Sequence, residues 1–307
     1  KGEPMKRVQN KIMALLLAVI LAIGLALPAA AAEGTASGAP EADLKGQIVI
    51  LHTNDVHGGI AGYAKVAALR KSYEDKGAYV LLVDAGDYIQ GDPVVSVSEG
   101  ATAVELMGLV GYDVATLGNH EFNWGIPTMQ AILGQASFPV LAANVTGAQG
   151  EPVTGAGWTI VERGGVKLAV IGVVTPDVPI WDSGKDGIDD AVYEAANVAV
   201  GKAIDEIGDQ ADVIMVSAHM GMYAEFDEEG GSDSAQKILD DNPEIDVLQV
   251  AHNHVVVNEK QGSTVIGGVR NGGRDIARFD LTLDADNQII DSSVEIVDMT
   301  GVTPSQE

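Results

Sequence analysis

The chain has 307 residues, of which 46% are hydrophobic, so it is long and apolar enough for one large domain or two modest ones. Its formal net charge is -26 and its isoelectric point is about 4.3. Because nucleic-acid phosphates bind to basic surfaces, this charge argues against a nucleic-acid polymer as a partner. The chain has no cysteine, which excludes disulfides, thiolate metal ligands and a cysteine nucleophile.

The first 32 residues are typical of a signal peptide. Basic residues precede an apolar run over residues 12–27, and small residues from Ala29 to Ala32 provide a cleavage site. The alternative is a membrane anchor, but the run is short for a span and no basic cluster follows it. We therefore expect cleavage near Ala32 and a secreted or periplasmic protein that meets the membrane only through this peptide.

The predicted elements follow a short, small-residue linker over residues 33–46. Strands are predicted at 48–51, 80–83, 114–117 and 140–142, with helices at 63–73, 97–110 and 127–133. A hairpin is predicted from 158–161 to 166–173, and then a helix at 189–207 with an acidic start that suits its dipole. Strands at 213–216 and 247–250 flank a helix near 234–239, and strands at 264–266, 277–283 and 289–297 complete the pattern. This order predicts α/β layers, with helices outside and mixed sheets inside.

All six histidines lie at or just past the end of a predicted strand, accompanied by carboxylates and an amide. The five segments are Leu51-His52-Thr53-Asn54-Asp55-Val56-His57, Val83-Asp84-Ala85-Gly86-Asp87, Leu117-Gly118-Asn119-His120-Glu121, Val216-Ser217-Ala218-His219 and Val250-Ala251-His252-Asn253-His254. Sites in open α/β sheets form beyond the carboxyl ends of the strands. We therefore expect these side chains to converge on one place.

Seven of these residues are candidate metal ligands: Asp55, His57, Asp87, Asn119, His219, His252 and His254. Oxygen and imidazole ligands suit Zn, Mn, Fe or Co. Seven ligands are too many for one tetrahedral ion, but they fit two divalent ions about 3.5–4 Å apart that share a carboxylate. Asp87 is the predicted bridge, because Gly86 and Gly91 allow the backbone to approach closely. Each motif alone is a weak signal, and the prediction depends on their occurring together.

These blocks resemble the 5'-nucleotidase family of calcineurin-like metallophosphoesterases. The similarity covers about residues 48–284 and is strongest in the blocks Ile50 to Gly58, Asp84 to Asp87 and Leu117 to Asn123. The resemblance implies a four-layer α/β/β/α sandwich, which we expect over residues 47–300. It implies one ion on Asp55, His57, Asp87 and His254, and a second ion on Asp87, Asn119, His219 and His252.

The same resemblance implies a reaction, the hydrolysis of nucleotide phosphate esters. The metals would generate a hydroxide and polarise the phosphoryl oxygens for in-line attack. His120 would stabilise the transition state or protonate the leaving oxygen, and Asn119 would also face the phosphate. His52 is expected to lie behind the site, and Glu121 to orient a loop. Trp124 and Trp181 lie in candidate active-site loops, where they are candidates to contact a base.

Two departures from the family pattern concern the site. Asn123 stands where many 5'-nucleotidases have an aspartate that pairs with the catalytic histidine, and an amide cannot stabilise an imidazolium by its charge. The asparagine is more typical of the 2',3'-cyclic-nucleotide phosphodiesterase branch, so that activity is an alternative. Ala251 replaces the usual glycine before the H-x-H pair. With these departures, a catalytically impaired metal-binding module is the alternative of another class.

Family members usually continue into a second domain that binds the nucleoside. We expect that domain to be absent here, with residues 301–307 as the start of the linker that leads to it. The sequence is then either a fragment or a stand-alone catalytic domain. A further expectation is that the acidic residues 225–229 form a solvated loop and not a calcium site, because they lack the spacing of a calcium loop.

Overall fold

The structure is a computed structural model, and it describes residues 44–224 and 234–306. The predicted signal peptide, residues 33–43 of the predicted linker, the acidic residues 225–229 and the last residue lie outside the described residues. Within the described ranges, no helix is both long enough and apolar enough to cross a membrane.

The described strands and α-helices alternate along much of the chain. The strands are β1 (Ile48–Thr53), β2 (Tyr79–Asp84), β3 (Val114–Thr116), β4 (Val140–Leu141), β5 (Val145–Thr146), β6 (Trp158–Arg163), β7 (Val166–Val174), β8 (Val192–Tyr193), β9 (Val213–His219), β10 (Val247–Val250), β11 (Val257–Gln261), β12 (Thr264–Gly268), β13 (Asp275–Leu283) and β14 (Ile289–Asp298). The helices are α1 (Tyr63–Asp75), α2 (Pro93–Ser96), α3 (Ala101–Val110), α4 (Ile126–Leu133), α5 (Val178–Asp182), α6 (Ala196–Ile207) and α7 (Ala235–Asp241).

Two six-stranded mixed sheets form the centre of the fold. The first has the order β14-β13-β1-β2-β3-β4, with β1 to β4 parallel and β13 antiparallel to β1. The second has the order β11-β12-β10-β9-β7-β6, with β12, β10, β9 and β7 parallel and antiparallel strands at both edges. Parallel neighbours bring their carboxyl ends to the same edge of a sheet, which is where the candidate ligands follow the strands.

The alternation of side chains along each strand separates three apolar layers. Ile48 and Ile50 of β1 face Met215 of the second sheet, in a core between the two sheets. Val49 and Leu51 of β1 pack with α1 and its neighbours on the outer face of the first sheet. A third core joins the outer face of the second sheet to α6 and α7. The layers therefore run α/β/β/α, and the predicted fold class is confirmed.

Two predicted helices begin later than the sequence pattern suggests. The helix expected at 97–110 begins at Ala101, because Glu99 and Gly100 take left-handed backbone angles that interrupt it. The helix expected at 189–207 begins at Ala196. Residues Val192–Tyr193 instead pair with Val145–Thr146, and Asp189 accepts hydrogen bonds from Ser183 and Gly184. The acidic residues assigned to a helix start therefore belong to a loop.

His52 lies on β1 between the sheets and is fully buried, with its ring 6.4 Å from that of Phe279. Neither ring nitrogen makes a hydrogen bond of good geometry within residues 44–224 and 234–306. Burial disfavours the charged imidazolium and lowers the pKa of His52 to about 4. His52 also stands outside the clusters of potential metal ligands, so it lies behind the site as expected.

This histidine makes the free energy of unfolding sensitive to acid. Its pKa falls from 6.5 to about 4 on folding, so the unfolded chain binds the extra proton between these pH values. The stability contribution is present above pH 6.5 and is lost as pH falls, by about 3 kcal/mol at most. We expect the difference in unfolding free energy between His52→Leu and the unaltered protein, measured with urea, to shift by this order in favour of the variant between pH 7 and pH 4. An unchanged difference would contradict the assignment.

Candidate metal centre

The seven predicted ligands lie at the ends of five strands. Asp55 and His57 follow β1, Asp87 follows β2 and Asn119 opens a short 3-10 helix after β3. In the second sheet, His219 ends β9, and His252 and His254 follow β10. These strand ends bring the side chains together in two adjacent clusters.

The first cluster contains Asp55, His57 and His254, whose donor atoms all lie within 4.8 Å of one another. The Nε2 atoms of the two histidines are 3.1 Å apart. Nε2 of His254 is also 3.2 Å from Oδ1 of Asp55. Three atoms with lone pairs therefore point at one small region, which is the arrangement that a cation requires.

The second cluster contains Asp87, His219 and His252. Oδ1 of Asn119 lies between the two histidines, 3.1 Å from Nε2 of His219 and 2.9 Å from Nδ1 of His252. Nε2 of His219 is 3.2 Å from Oδ2 of Asp87. This cluster thus offers two oxygens and two imidazole nitrogens.

A single carboxylate oxygen faces both clusters. Oδ2 of Asp87 is 3.2 Å from Nε2 of His219 in the second cluster and 3.9 Å from Nε2 of His57 in the first. The clusters also approach each other through Asp55, whose Oδ1 is 4.0 Å from Nε2 of His219. Oδ2 of Asp87 therefore lies between the two clusters, and its role as a shared ligand stays a prediction.

The backbone is strained at most of these residues. Seven non-glycine residues in the described ranges have positive φ, and five of them are predicted ligands: Asp55, His57, Asp87, His252 and His254, with φ between 46° and 70°. Such angles are unfavourable for side chains with a Cβ and persist where the surroundings impose them. The N–H of Asp55 donates to Gly86, and the N–H of His252 donates to the Asp55 carboxylate. These backbone angles lower the stability of the folded state, and they orient the five side chains toward the site.

Two groups behind the ligands fix the loops that carry them. The buried carboxylate of Glu121 accepts hydrogen bonds from the backbone N–H groups of Asp87, Tyr88, Ile89 and Gly118 at 2.6–3.1 Å, so it orients these loops as expected. The carbonyl oxygen of Ala85 is 2.7 Å from Nδ1 of His219, which must be the donor. The lone pair of His219 is then on Nε2, which faces the site.

Glycine is required beside the predicted bridge. Gly86 has φ of +99°, and an added Cβ would lie 2.4 Å from the backbone nitrogen of Gly118 and 2.7 Å from Nδ1 of His219. At Gly91, an added Cβ would lie 2.0 Å from the carbonyl oxygen of His57. The sequence predicts that the backbone approaches the site closely at Gly86 and Gly91, and these distances agree with that prediction. By contrast, Ala251 is accommodated: it is buried, and its N–H donates to Met220.

The buried carboxylates of the site favour a nearby positive charge. Burial acts to raise the pKa of Asp87, but the His219, His120 and His57 rings outweigh it, so that the pKa lies below its ordinary value. Burial also opposes the charged form of His219, yet the carboxylates of Asp87 and Asp55 raise the pKa of His219 to about 10. The acidic groups thus attract a proton to a fully buried ring, and a metal ion would supply the same positive charge.

The donor set fits divalent metal ions. Oδ1 of Asp55 is buried and makes no hydrogen bond of good geometry with any described residue. An uncompensated buried carboxylate oxygen is unfavourable, and coordination of a cation satisfies it. Oxygen and imidazole donors without thiolates suit Zn, Mn, Fe or Co, and the identity of the ions stays a prediction.

His120 stands beside the two clusters. A ring nitrogen of His120 lies within 4.8 Å of donor atoms of His57 and Asp87, and its ring centroid is 5.2 Å from that of His57. Its Nδ1 is 2.8 Å from Oδ1 of Asn123. Nδ2 of Asn123 in turn lies 3.2 and 3.3 Å from the two oxygens of Asp182, which is buried.

Sequence reasoning missed Asp182, which lies 59 residues after Asn123 on the short helix α5. A local signal was available: the neighbouring Trp181 lies in a segment that the sequence assigns to a candidate active-site loop. The ring centroid of Trp181 is 5.5 Å from that of His252. Trp124, the other candidate, packs partly buried against the core of the first sheet.

The fold and this site define a class of protein. Residues 48–256 match the calcineurin-like phosphoesterase family, and the chain therefore belongs to that family. The predicted family and enzyme class, a metal-dependent phosphoesterase, are confirmed at this level.

Two curated proteins show the relationship in sequence. The chain is 30% identical over 261 residues to a Haemophilus influenzae protein named 2',3'-cyclic-nucleotide 2'-phosphodiesterase/3'-nucleotidase, an alignment that covers 74% of this chain and 38% of that protein. It is 29% identical over 255 residues to the trifunctional nucleotide phosphoesterase protein YfkN of Bacillus subtilis, covering 71% of this chain and 17% of that protein. The chain thus spans well under half the length of these relatives.

A solved structure shows the same fold. The crystal structure of a putative 5'-nucleotidase from Staphylococcus aureus superposes with a TM-score of 0.74 at 23% identity. The superposition covers 85% of this chain and 55% of that one. At this identity the likeness establishes the fold alone.

Proposed function

We propose that this chain is a two-metal phosphoesterase that hydrolyses phosphate esters of nucleotides. The observation that supports it most is the shared position of Asp87, whose Oδ2 faces a histidine nitrogen in each of two adjacent ligand clusters. Two ions held by one carboxylate are the arrangement that clamps the attacking and leaving oxygens in a phosphoryl displacement.

The chain offers a full ligand set for each of the two ions. One ion would be held by Asp55, His57, Asp87 and His254, and the other by Asp87, Asn119, His219 and His252. When bound, the divalent ions supply a Lewis acid for the phosphoryl oxygens and make water nucleophilic near neutral pH. The chain itself must hold the ligands in place and guide the proton to the leaving group.

His120 is assigned to the phosphoryl group. It lies beside Asp87 and His57, and the N–H of its own backbone donates to Oδ1 of Asp87 at 2.9 Å. A ring N–H in this place stabilises the negative charge that develops in the transition state or donates a proton to the leaving oxygen. Asn119, next to it in sequence, keeps its amide nitrogen for the phosphate while its oxygen faces the metal ligands.

The leaving group distinguishes two candidate reactions, 5'-nucleotide hydrolysis and 2',3'-cyclic-nucleotide hydrolysis. The asparagine at position 123 and the similarity to the Haemophilus influenzae protein favour the cyclic substrate as the second candidate. The signal-like first 32 residues support a site of action outside the cytoplasm for either reaction.

A substrate panel tests the proposal. The protein, loaded with Mn²⁺ or Co²⁺, is incubated with AMP, 2',3'-cyclic AMP and bis-nitrophenyl phosphate, and the products are separated by chromatography. We expect hydrolysis of at least one nucleotide and loss of turnover after chelation, with recovery on adding metal back. Metal binding without hydrolysis of any compound in the panel would favour the impaired metal-binding module and contradict the proposal.

A further inference from the structure

The Asn123 amide connects His120 to a buried carboxylate. On one side, Oδ1 of Asn123 is 2.8 Å from Nδ1 of His120. On the other side, Nδ2 of Asn123 is 3.2 Å and 3.3 Å from the two oxygens of Asp182. Asp182 ends the helix α5, is only 2% exposed and also forms an ion pair with the Lys185 ammonium.

Asp182 determines which groups donate and which accept in the hydrogen-bonded series of His120, Asn123 and Asp182. An ionised carboxylate only accepts hydrogen bonds, so the NH₂ end of the Asn123 amide must face Asp182. The oxygen end of the amide then faces His120, and it too can only accept. Nδ1 of His120 must therefore carry the hydrogen, which leaves Nε2 as the nitrogen that is free to serve the substrate.

Without the carboxylate, nothing in this contact determines which way the Asn123 amide points. A rotated amide would place its NH₂ group against Nδ1 of His120 and favour the opposite tautomer. An aspartate at position 123 would need no such device, because both of its oxygens accept hydrogen bonds. In this chain the orientation depends on a second residue.

We propose that Asp182 is a positioning residue that fixes the Asn123 amide and, through it, the Nδ1–H tautomer of His120. The inference rests on the proposed function for its effect on turnover, but the tautomer is a property of the folded protein and can be measured without any substrate.

A charge-swap cycle tests this inference. Asp182→Asn leaves two amides in contact, and Asn123→Asp places two carboxylates side by side. The double variant Asn123→Asp/Asp182→Asn restores an acceptor facing His120 and a donor behind it. We expect each single variant to lower kcat by about 10–100-fold with little change in KM, as for residues that orient site groups, and the double variant to recover most of the loss.

Nitrogen NMR of the His120 ring, assigned with His120→Ala, provides the readout that depends on no substrate. The zinc-loaded protein and the double variant should show the Nδ1–H tautomer, and Asp182→Asn should show a mixture. The exposed carboxylate of Asp189, in the same loop, serves as the matched control through Asp189→Asn, which should leave turnover and tautomer unchanged. If one single variant fails to fold, the inference is tested by the kcat and the His120 tautomer of the double variant and of the other single variant.

Two results would overturn the inference: an unaltered tautomer in Asp182→Asn, or a double variant with a kcat no higher than that of Asp182→Asn. If no substrate is hydrolysed but the tautomer changes as expected, the proposed function fails while the positioning role stands.

Discussion

Asp87→Asn is expected to lower phosphoesterase turnover by more than about a hundredfold, because even residues behind metal ligands contribute about 10–100-fold. Asparagine keeps the shape of the side chain, and its amide oxygen can still accept from the backbone N–H of His120. It lacks the charge of the carboxylate whose Oδ2 faces both His57 and His219. The variant therefore removes the carboxylate charge shared by the two clusters while it keeps the hydrogen bond that holds the loop of His120.

The measurement is kcat at saturating metal, with Asp209→Asn as the control. Asp209 is an exposed carboxylate in a short 3-10 helix before β9, whereas His219 lies at the other end of that strand, so the same change there should leave kcat unaltered. An Asp87→Asn protein that keeps its turnover would show that the shared carboxylate has no role in the reaction.

His120→Ala is expected to lower kcat by about a hundredfold to ten-thousandfold, the range that a positioned acid or transition-state stabiliser contributes. Metal affinity should change little, since His120 stands beside the two ligand clusters and is assigned to the phosphoryl group. The ring is half-buried, and its backbone N–H, which holds Asp87, is preserved in alanine.

The measurements for this variant are steady-state turnover and metal titration. A leaving group that needs no proton, such as nitrophenolate, should be less affected than a nucleoside if His120 acts as the acid. Equal losses for both leaving groups would assign it to transition-state stabilisation, and unchanged turnover for both would exclude it from the reaction.

The sequence was sufficient to predict that the candidate ligands converge, because each of them stands at or just after the end of a strand. Asp55, His57 and Asp87 each follow a short apolar strand, and parallel pairing of β1 with β2 brings them to one edge. The pairing of β9 with β10 does the same for His219 and His252. The convergence of these side chains could therefore be predicted from the strands and their order alone.

The rest of the site depends on contacts that no local pattern contains. Asp182 approaches Asn123 from a helix of five residues that lies 59 positions later in the chain. The acidic start that suggested a helix from residue 189 instead serves a loop, because Val192–Tyr193 find a strand partner in Val145–Thr146. In this second case, tertiary pairing outweighed the local preference for a helix.

Metal stoichiometry tests the central claim most directly. Crystals of the protein grown with Mn²⁺ or Zn²⁺ should show two anomalous scattering peaks, about 3.5–4 Å apart, with the Asp87 carboxylate between them. Elemental analysis of the same protein in solution should give two equivalents of metal per chain. A single peak and a single equivalent, with His219 and His252 outside coordination distance, would contradict the account.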